Sequence, residues 1–310
     1  MTLAEHVRTL GRGPGRARSL TRDEAFDAMR LMLQDGTAPE AIGAALMLLR
    51  MKGETADEIA GLAAAAQAGM SDMPRVDLDW PSYAAGRTRG APWFLLSARL
   101  VADAGHRVLL HGWNGTDDAV RSGLRSAGIA TATTPDQAAD LLDRDGIAYM
   151  PLEAAHPALF ALLNLRAVLG LRSCVNTVCR MLNPGAAAAS VQGVFHPSYR
   201  LLQADAAAQL GWQNLTVIKG GGGEFERHPA KDIAAFGLRA GAPWEAQFAA
   251  TRSETRRLAA DLSAGLTGPS PFETDIITGT AALALDTLGV TDSADAAQRL
   301  WDARKAARAA

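Results

Sequence analysis

The chain has 310 residues, and the 48% that are hydrophobic suffice for a sizeable core in two domains or one large one. Its 31 basic and 33 acidic residues give a net charge of −2, which excludes a generally basic protein. No apolar run approaches the roughly 20 residues of a membrane span, and the chain opens without a signal-peptide pattern, so we expect a cytoplasmic protein with no membrane partner.

The first 70 residues are predicted to be helical throughout. Two capping-box patterns, in which threonine is followed three residues later by glutamate, open helices at Thr21 and at Thr55. Between them, residues 42–51 are predicted to form a strongly apolar helix. Because a domain this small can hardly bury all of that helix, we expect a homodimer with helices from residues 21–70 at its interface.

From residue 108 onwards, predicted strands alternate with helices. Short apolar runs predict strands at residues 108–110, 130–133, 147–150, 191–195 and 215–218. Helices are predicted at residues 117–127, 135–144 and 199–210, and a purely helical stretch interrupts the alternation at 156–182. The predicted fold class is therefore α/β, with a small all-helical domain and a larger domain around a mostly parallel sheet.

A run of four glycines at 220–223 directly follows the last of these strands. Glycines at a strand end let the backbone come close to a ligand, often an anion, so Gly221 and Gly222 are candidate phosphate-binding residues. Acids beside such a loop usually hold a divalent metal against the phosphates, which makes Glu224 and Glu226 candidate metal ligands. The alternative is an ordinary flexible turn. The sequence thus establishes no cofactor and leaves Mg2+ as the one candidate.

Further motifs follow one another in a specific order and spacing. They are Arg50-Met51-Lys52-Gly53-Glu54-Thr55, His111-Gly112, Leu165-Arg166, Gly170, Arg172, Asn176, Asn183-Pro184, and Gly193 to Pro197 ahead of the glycine run. Through these motifs, residues 5 to 300 resemble the family 3 glycosyltransferases, the group of anthranilate phosphoribosyltransferase and the pyrimidine nucleoside phosphorylases. The resemblance implies that family's fold, a homodimer formed through the helical domain, and an active site in a cleft between the two domains.

The resemblance also divides the chain into domains. It implies a helical dimerisation domain made of residues 1–75 and about 155–184, and an α/β domain made of residues 76–154 and 185–310. The carboxyl ends of parallel strands, where a ligand is expected on physical grounds, then face the same cleft.

Several positions match functional positions of the family. Ser97 and Glu224 stand where the enzymes have metal-linked residues. Arg166 matches the arginine that holds the aromatic acid substrate in anthranilate phosphoribosyltransferase, and its leucine-rich surroundings predict a charge that needs a partner or a ligand. His111 keeps the His-Gly motif, but it has no acidic neighbour in sequence and is more typical of a hydrogen-bonded loop residue than of a general base.

Other positions depart from the family. The enzymes' Gly-Thr-Gly-Gly-Asp pyrophosphate loop is replaced by a segment that carries Arg87 and Arg89. The enzymes' Asp-Glu metal pair becomes Gly223-Glu224, and the loss of one carboxylate weakens a Mg2+ site. Together with Arg180 and Lys219, these changes resemble the YbiB-like branch of anthranilate phosphoribosyltransferase-like proteins. That branch implies a homodimer that binds nucleic acid without sequence preference.

Three functional hypotheses follow. The first is a homodimer that binds single-stranded DNA or RNA in an arginine-lined cleft, with Trp93 or Trp113 stacking bases. Its candidate ligand-binding residues are Arg87, Arg89, Ser97, His111, Arg166, Arg180, Lys219, Gly221 and Gly222. The second is an active phosphoribosyltransferase, a pentosyltransferase, with an unknown acceptor. The third is an interaction protein whose cleft binds nothing. The net charge counts against the first and the arginine-bearing loop against the second, so we expect no phosphoribosyl transfer to anthranilate and identify no catalytic residue.

Overall fold

A computed structural model describes residues 1–70, 72–84, 90–115, 117–253, 262 and 269–309. The helices are α1 (Leu3–Gly11), α2 (Arg22–Met32), α3 (Pro39–Lys52), α4 (Ala56–Ala68), α5 (Phe94–Asp103), α6 (Ala119–Ala127), α7 (Pro135–Asp145), α8 (Leu152–Ala155), α9 (Pro157–Asn164), α10 (Arg166–Leu169), α11 (Val175–Arg180), α12 (Tyr199–Gln209), α13 (Pro271–Thr287) and α14 (Ser293–Ala309). The strands are β1 (Leu78–Ser82), β2 (Val108–Gly112), β3 (Ile147–Pro151), β4 (Ala189–Val194), β5 (Asn214–Lys219), β6 (Ile233–Arg239) and β7 (Ala242–Phe248). Among the helices described, none is long and apolar enough to cross a membrane.

The strands form one seven-stranded sheet in the order β3-β2-β1-β4-β5-β6-β7. The first five strands of that order are parallel, and β6 and β7 extend one edge with antiparallel pairing. This arrangement confirms the predicted fold class. Because β1, β2, β4 and β5 run in the same direction, the residues that follow them meet at one edge of the sheet.

Strand β1 lies in the middle of the sheet although Pro81 interrupts its sequence pattern. Proline lacks the amide hydrogen of a ladder and argues against a central strand. Strand β1 pairs with β4 only over Leu78–Asp79, so that ladder has already ended at Pro81.

The strand predicted at 130–133 is wrong, because this segment contributes a single bridge from Thr131 to Tyr149.

The helical part of the molecule is assembled from two separate stretches of chain. Leu46 of α3 and Leu62 of α4 share one buried cluster with Leu159 of α9 and Val178 of α11. The cluster continues to Val217 of β5, so the helices rest on one face of the sheet. The stretch that interrupts the strand–helix alternation in the sequence therefore completes the core that the first four helices begin.

The apolar side chains of α3 are partly covered within the chain itself, since Ile42, Met47 and Leu48 are half-buried. Leu46 and Leu49 are fully buried, and Leu48 packs beside Gly11 of α1. Met51, at the end of α3, remains 80% exposed. The apolar surface that motivates the homodimer is therefore smaller than the sequence indicates, and the homodimer stays a prediction.

Candidate ligand site at the carboxyl ends of the strands

Glu224 lies where the central strands end. It follows the glycine turn after β5, and its side chain is buried. Its Oε1 atom accepts three hydrogen bonds of 3.0 Å, from the Ser82 hydroxyl, the Ala84 backbone amide and the Asn114 side-chain amide. Donors that follow β1 and β2 thus satisfy a carboxylate whose burial would otherwise be costly.

These hydrogen bonds engage one of the two oxygens of Glu224 and join the ends of β1 and β2 to the turn after β5. Within the described residues, no group of three or more His, Cys, Asp or Glu side chains is placed to hold a metal ion. Magnesium commonly uses only one or two protein carboxylates together with phosphates and waters, so the metal role of Glu224 stays a prediction.

Glu226 occupies the amino end of α5. Its side chain is buried, and its Oε2 atom accepts a 3.2 Å hydrogen bond from the backbone amide of Phe94, the first residue of that helix. The amino end of a helix favours a negative charge and is a common place for a phosphate to bind. Here the protein's own carboxylate takes that place, and the metal role of Glu226 stays a prediction.

The turn after β5 requires glycine because another part of the chain, at Glu224, lies very close to it. A Cβ atom on Gly220 would lie 1.6 Å from the carbonyl oxygen of Glu224. A Cβ atom on Gly193, near the end of β4, would lie 2.0 Å from the carbonyl carbon of the same glutamate. Neither position has room for any other residue, because the obstructing atoms belong to the backbone.

The two glycines predicted to bind phosphate contact the same turn. The Gly221 amide donates to the Glu226 carbonyl at 3.2 Å, and a Cβ atom on Gly221 would lie 2.7 Å from Oε1 of Glu226. Gly222 has a φ of 66°, in the left-handed region that favours glycine. The close contacts of Gly221 are therefore with an internal acid, and the phosphate-binding role of both glycines stays a prediction.

His111 is buried within β2 and has an acidic neighbour that the sequence does not reveal. Its Nε2 atom lies 3.1 Å from Oδ1 of Asp79 on β1, and its Nδ1 atom lies 2.8 Å from the Tyr83 hydroxyl. Burial raises the pKa of Tyr83 well above its ordinary value, so this phenol stays protonated. With the phenol donating to Nδ1, the proton of a neutral imidazole lies on Nε2, whose contact with Asp79 is close but not aligned as a hydrogen bond. The Ser190 hydroxyl donates to the other Asp79 oxygen at 2.7 Å.

Arg180 is buried and bonded to neighbouring protein groups. Its guanidinium donates to the carbonyl of Gly193 at 3.1 Å and to the carbonyl and side-chain oxygens of Asn176 at 2.9 and 2.6 Å. Burial lowers the pKa of Arg180, and the nearby Glu224 carboxylate counteracts this. The structure therefore brings Arg180 to the strand ends as an internal counter-charge to Glu224.

Arg166 and Lys219 are exposed, in contrast to Arg180. The leucine-rich surroundings of Arg166 predict a buried charge, but the short helix α10 projects it into solvent beside Val168, which is 82% exposed. Partial burial lowers the pKa of Arg172, and the guanidinium groups of Arg166 and Arg50 lower it further. Arg50 and Arg166 thus each lie within electrostatic range of Arg172.

The arginine group of Arg50, Arg166 and Arg172 lies near the strand ends. The charge of Arg172 lowers the pKa of buried Arg180, whereas the Glu224 carboxylate raises it. Arg50 acts in the same way on Tyr199, the first residue of the helix that follows β4. The group is therefore within electrostatic reach of the same edge of the sheet that Lys219 borders.

Three of the remaining predicted residues pack against other parts of the protein, and their ligand-binding roles stay predictions. Ser97 is buried, and its hydroxyl donates to the carbonyl of Ile277 on α13 at 2.9 Å, a helix-packing contact. Trp93 is fully buried at the start of α5. Trp113 is half-buried, with the Arg121 guanidinium 4.9 Å from its ring centroid. Arg87 and Arg89 lie outside the described residues.

Several residues around Glu224 and His111 cannot be predicted from the sequence. Asp79 and Ser82 lie within the strand that Pro81 conceals, and Tyr83 directly follows it. Asn114 has a weak signal, because it stands just after the His-Gly motif. The alternation of polar and apolar residues at 78–83 is the one sequence feature that points to these positions.

Comparisons with known proteins agree with this architecture. The model of the glycosyl transferase family helical bundle domain matches residues 4–69, and that of the glycosyl transferase family a/b domain matches residues 95–306. The chain is similar to the anthranilate phosphoribosyltransferase of Polynucleobacter necessarius subsp. necessarius, with 29% identity over 306 residues that cover 89% of this chain and 86% of that protein. It is 32% identical to that of Cellvibrio japonicus over 205 residues, which cover 64% of this chain and 60% of that protein.

Solved structures resemble the fold over nearly the whole chain. The anthranilate phosphoribosyltransferase of Thermus thermophilus aligns with a TM-score of 0.79 at 20% identity and covers 96% of this chain and 93% of its own. The Saccharomyces cerevisiae enzyme, solved in complex with PRPP and Mg, aligns with a TM-score of 0.77 at 15% identity and covers 96% of this chain and 92% of its own. At these identities the likeness establishes the fold alone.

Proposed function

Because the chain belongs to glycosyl transferase family 3, we propose that it keeps that family's scaffold while binding single-stranded nucleic acid, without sequence preference, at the carboxyl ends of its strands. The resemblance to the YbiB-like branch supports this function. The proposal includes a pyrophosphate and Mg2+ site that has degenerated, and it assigns no catalytic step to the chain.

The proposal rests on one observation: the acids at the strand ends are buried, whereas the nearby bases are exposed. Glu224 and Glu226 are buried and hydrogen-bonded to the protein's own groups. Arg166 and Lys219, in contrast, are exposed. Hydrogen bonds within the protein thus engage one oxygen of each acid that would hold a metal pyrophosphate, while exposed cations remain for a phosphate backbone.

The arginine group adds a local field that the net charge of −2 conceals. Like charges repel, and the guanidinium groups of Arg50 and Arg166 both disfavour the charge on Arg172, so a bound polyanion would relieve repulsion at this arginine. Within the described residues, Arg50 and Arg166 have no acid within ion-pair distance. A phosphate chain is the ligand whose repeating charge matches such a spread of cations.

The test is a binding titration with a labelled oligo-dT and a mixed-sequence oligonucleotide of equal length. We expect both to bind alike, with Kd near ~10⁻⁴–10⁻⁶ M at physiological salt, and affinity to fall steeply as salt rises because bound counterions are released. Fluorescence anisotropy over a salt series measures both quantities. Absence of binding at low salt, with protein well above that Kd range, would refute the proposal.

Light scattering on the same samples tests the homodimer by its mass.

A second candidate, an active phosphoribosyltransferase, is favoured by the relatives named anthranilate phosphoribosyltransferase. The internal bonds of Glu224 and Glu226 count against it. Calorimetry with phosphoribosyl pyrophosphate and Mg2+ distinguishes the two functions. We expect weak or undetectable heat and no pyrophosphate release with anthranilate, whereas tight Mg2+-dependent binding would favour the transferase.

A further inference from the structure

Phe195 is an aromatic side chain that stands in solvent at the end of a buried strand. Every residue of β4 is buried, yet Phe195, the next residue, is 61% exposed. The only ring that contacts it among the described residues is His196, edge-on at 5.0 Å and itself exposed. An exposed ring of this size leaves apolar surface in water and marks a contact site when ligand-binding groups surround it.

Phe195 lies among the groups assigned to nucleic-acid binding. A Cβ atom on Gly223 would lie 3.5 Å from Cβ of Phe195 and 3.6 Å from Cβ of Ala84, so the ring stands where β1, β4 and β5 end. The preceding residue, Val194, pairs with Lys219 across the β4–β5 ladder. The exposed ring and an exposed ammonium group therefore stand at neighbouring strand ends.

The other two aromatic candidates are less accessible to a base. Trp93 has no exposed surface, and Trp113 packs edge-on against Phe160 at 5.0 Å beneath the Arg121 guanidinium. Phe195 is the ring at these strand ends that a planar ligand reaches without displacing protein.

We propose that Phe195 stacks on an unpaired base and makes the site select single strands over duplexes, an inference that rests on the proposed nucleic-acid function. In a duplex the bases are stacked on one another and only phosphates reach a surface cation. In a single strand a base can turn onto an aromatic ring while its flanking phosphates contact cations, and stacking accepts every base because each has a π-face. Phe195 and Lys219, which stand at neighbouring strand ends, provide both contacts.

The experiment compares Phe195→Ala with the unchanged protein on an oligo-dT and on a duplex of equal length. We expect Phe195→Ala to weaken single-strand binding by about 5- to 100-fold, while duplex binding and the salt slope stay unchanged, because a stacking contact carries no charge. Phe195→Tyr should restore the affinity. Phe26→Ala, which removes a partly exposed ring from α2, is the matched control and should bind normally.

A second readout detects stacking directly. An oligonucleotide with 2-aminopurine loses fluorescence when that base stacks on a ring, so the unchanged protein should quench it and Phe195→Ala should quench it less. Equal affinity and equal quenching for the two proteins would overturn the role of Phe195 and leave the proposed function intact. An unchanged protein that binds no oligonucleotide would overturn both. Because Phe195 is exposed, we expect Phe195→Ala to melt like the unchanged protein.

Discussion

Removing the Arg166 guanidinium and the Lys219 ammonium together, in Arg166→Ala/Lys219→Ala, is expected to weaken oligonucleotide binding by about 10- to 30-fold. Each exposed charge contact contributes up to about 1 kcal/mol, and two such contacts amount to that factor. The loss should be the same for every sequence, because phosphates carry no sequence information. The slope of log affinity against log salt should flatten by about 1.4 if each cation neutralises one phosphate of a single strand.

The control removes the same charges from other parts of the molecule. Arg144 on α7 and Lys305 on α14 are exposed, and each pairs with an acid of its own helix. Arg144→Ala/Lys305→Ala therefore changes the net charge by the same amount and should leave the affinity and the salt slope nearly unchanged. Equal losses in the two double variants would mean that binding responds to overall charge and would count against a site at the strand ends.

Gly220→Ala is expected to lower the free energy of unfolding by more than about 4 kcal/mol, which is exceptional for one methyl group. The new Cβ atom would lie 1.6 Å from the Glu224 carbonyl oxygen, so the turn has to open. Opening it moves the carboxylate away from Ser82, Ala84 and Asn114 and leaves a buried charge without its donors. Urea unfolding followed by circular dichroism measures the change.

Gly43→Ala is the matched comparison. Gly43 lies inside α3, and the nearest neighbour of a Cβ atom there is Leu169 at 3.6 Å, an ordinary contact. The substitution should stabilise the protein by about 0.5–1 kcal/mol, because glycine loses more chain entropy in a helix than alanine does. If Gly220→Ala unfolds at nearly the same urea concentration as the unchanged protein, the close approach of the Glu224 carbonyl does not restrict position 220 to glycine.

The sequence predicts the fold where local patterns decide it. Capping boxes at Thr21 and Thr55 and short apolar runs placed most helices and strands of the parallel sheet. It fails at β1, because Pro81 breaks the strand pattern and only the position of the β4 ladder makes proline acceptable there. It also fails to predict β6 and β7. These strands pair antiparallel at one edge of the sheet and lie outside the alternation of strands and helices.

The candidate site is less predictable, because its bonds join distant parts of the chain. Glu224 receives its hydrogen bonds from residues more than 100 positions away, so its neighbours in sequence suggest a metal site. The partnership of His111 with Asp79 depends on the register between β2 and β1. The exposure of Arg166 depends on a helix break before α10 that leucine content does not reveal.

The split origin of the helical core sets an order of events during synthesis. Leu46 and Leu62 leave the ribosome early, but their partners Leu159 and Val178 lie far along the chain. At about 5–20 residues per second, the ribosome needs roughly 5 to 20 s to proceed from the end of α4 to α9. Throughout that interval the first four helices carry an uncovered apolar face. We therefore expect the first four helices to complete their packing only after α9 and α11 have emerged.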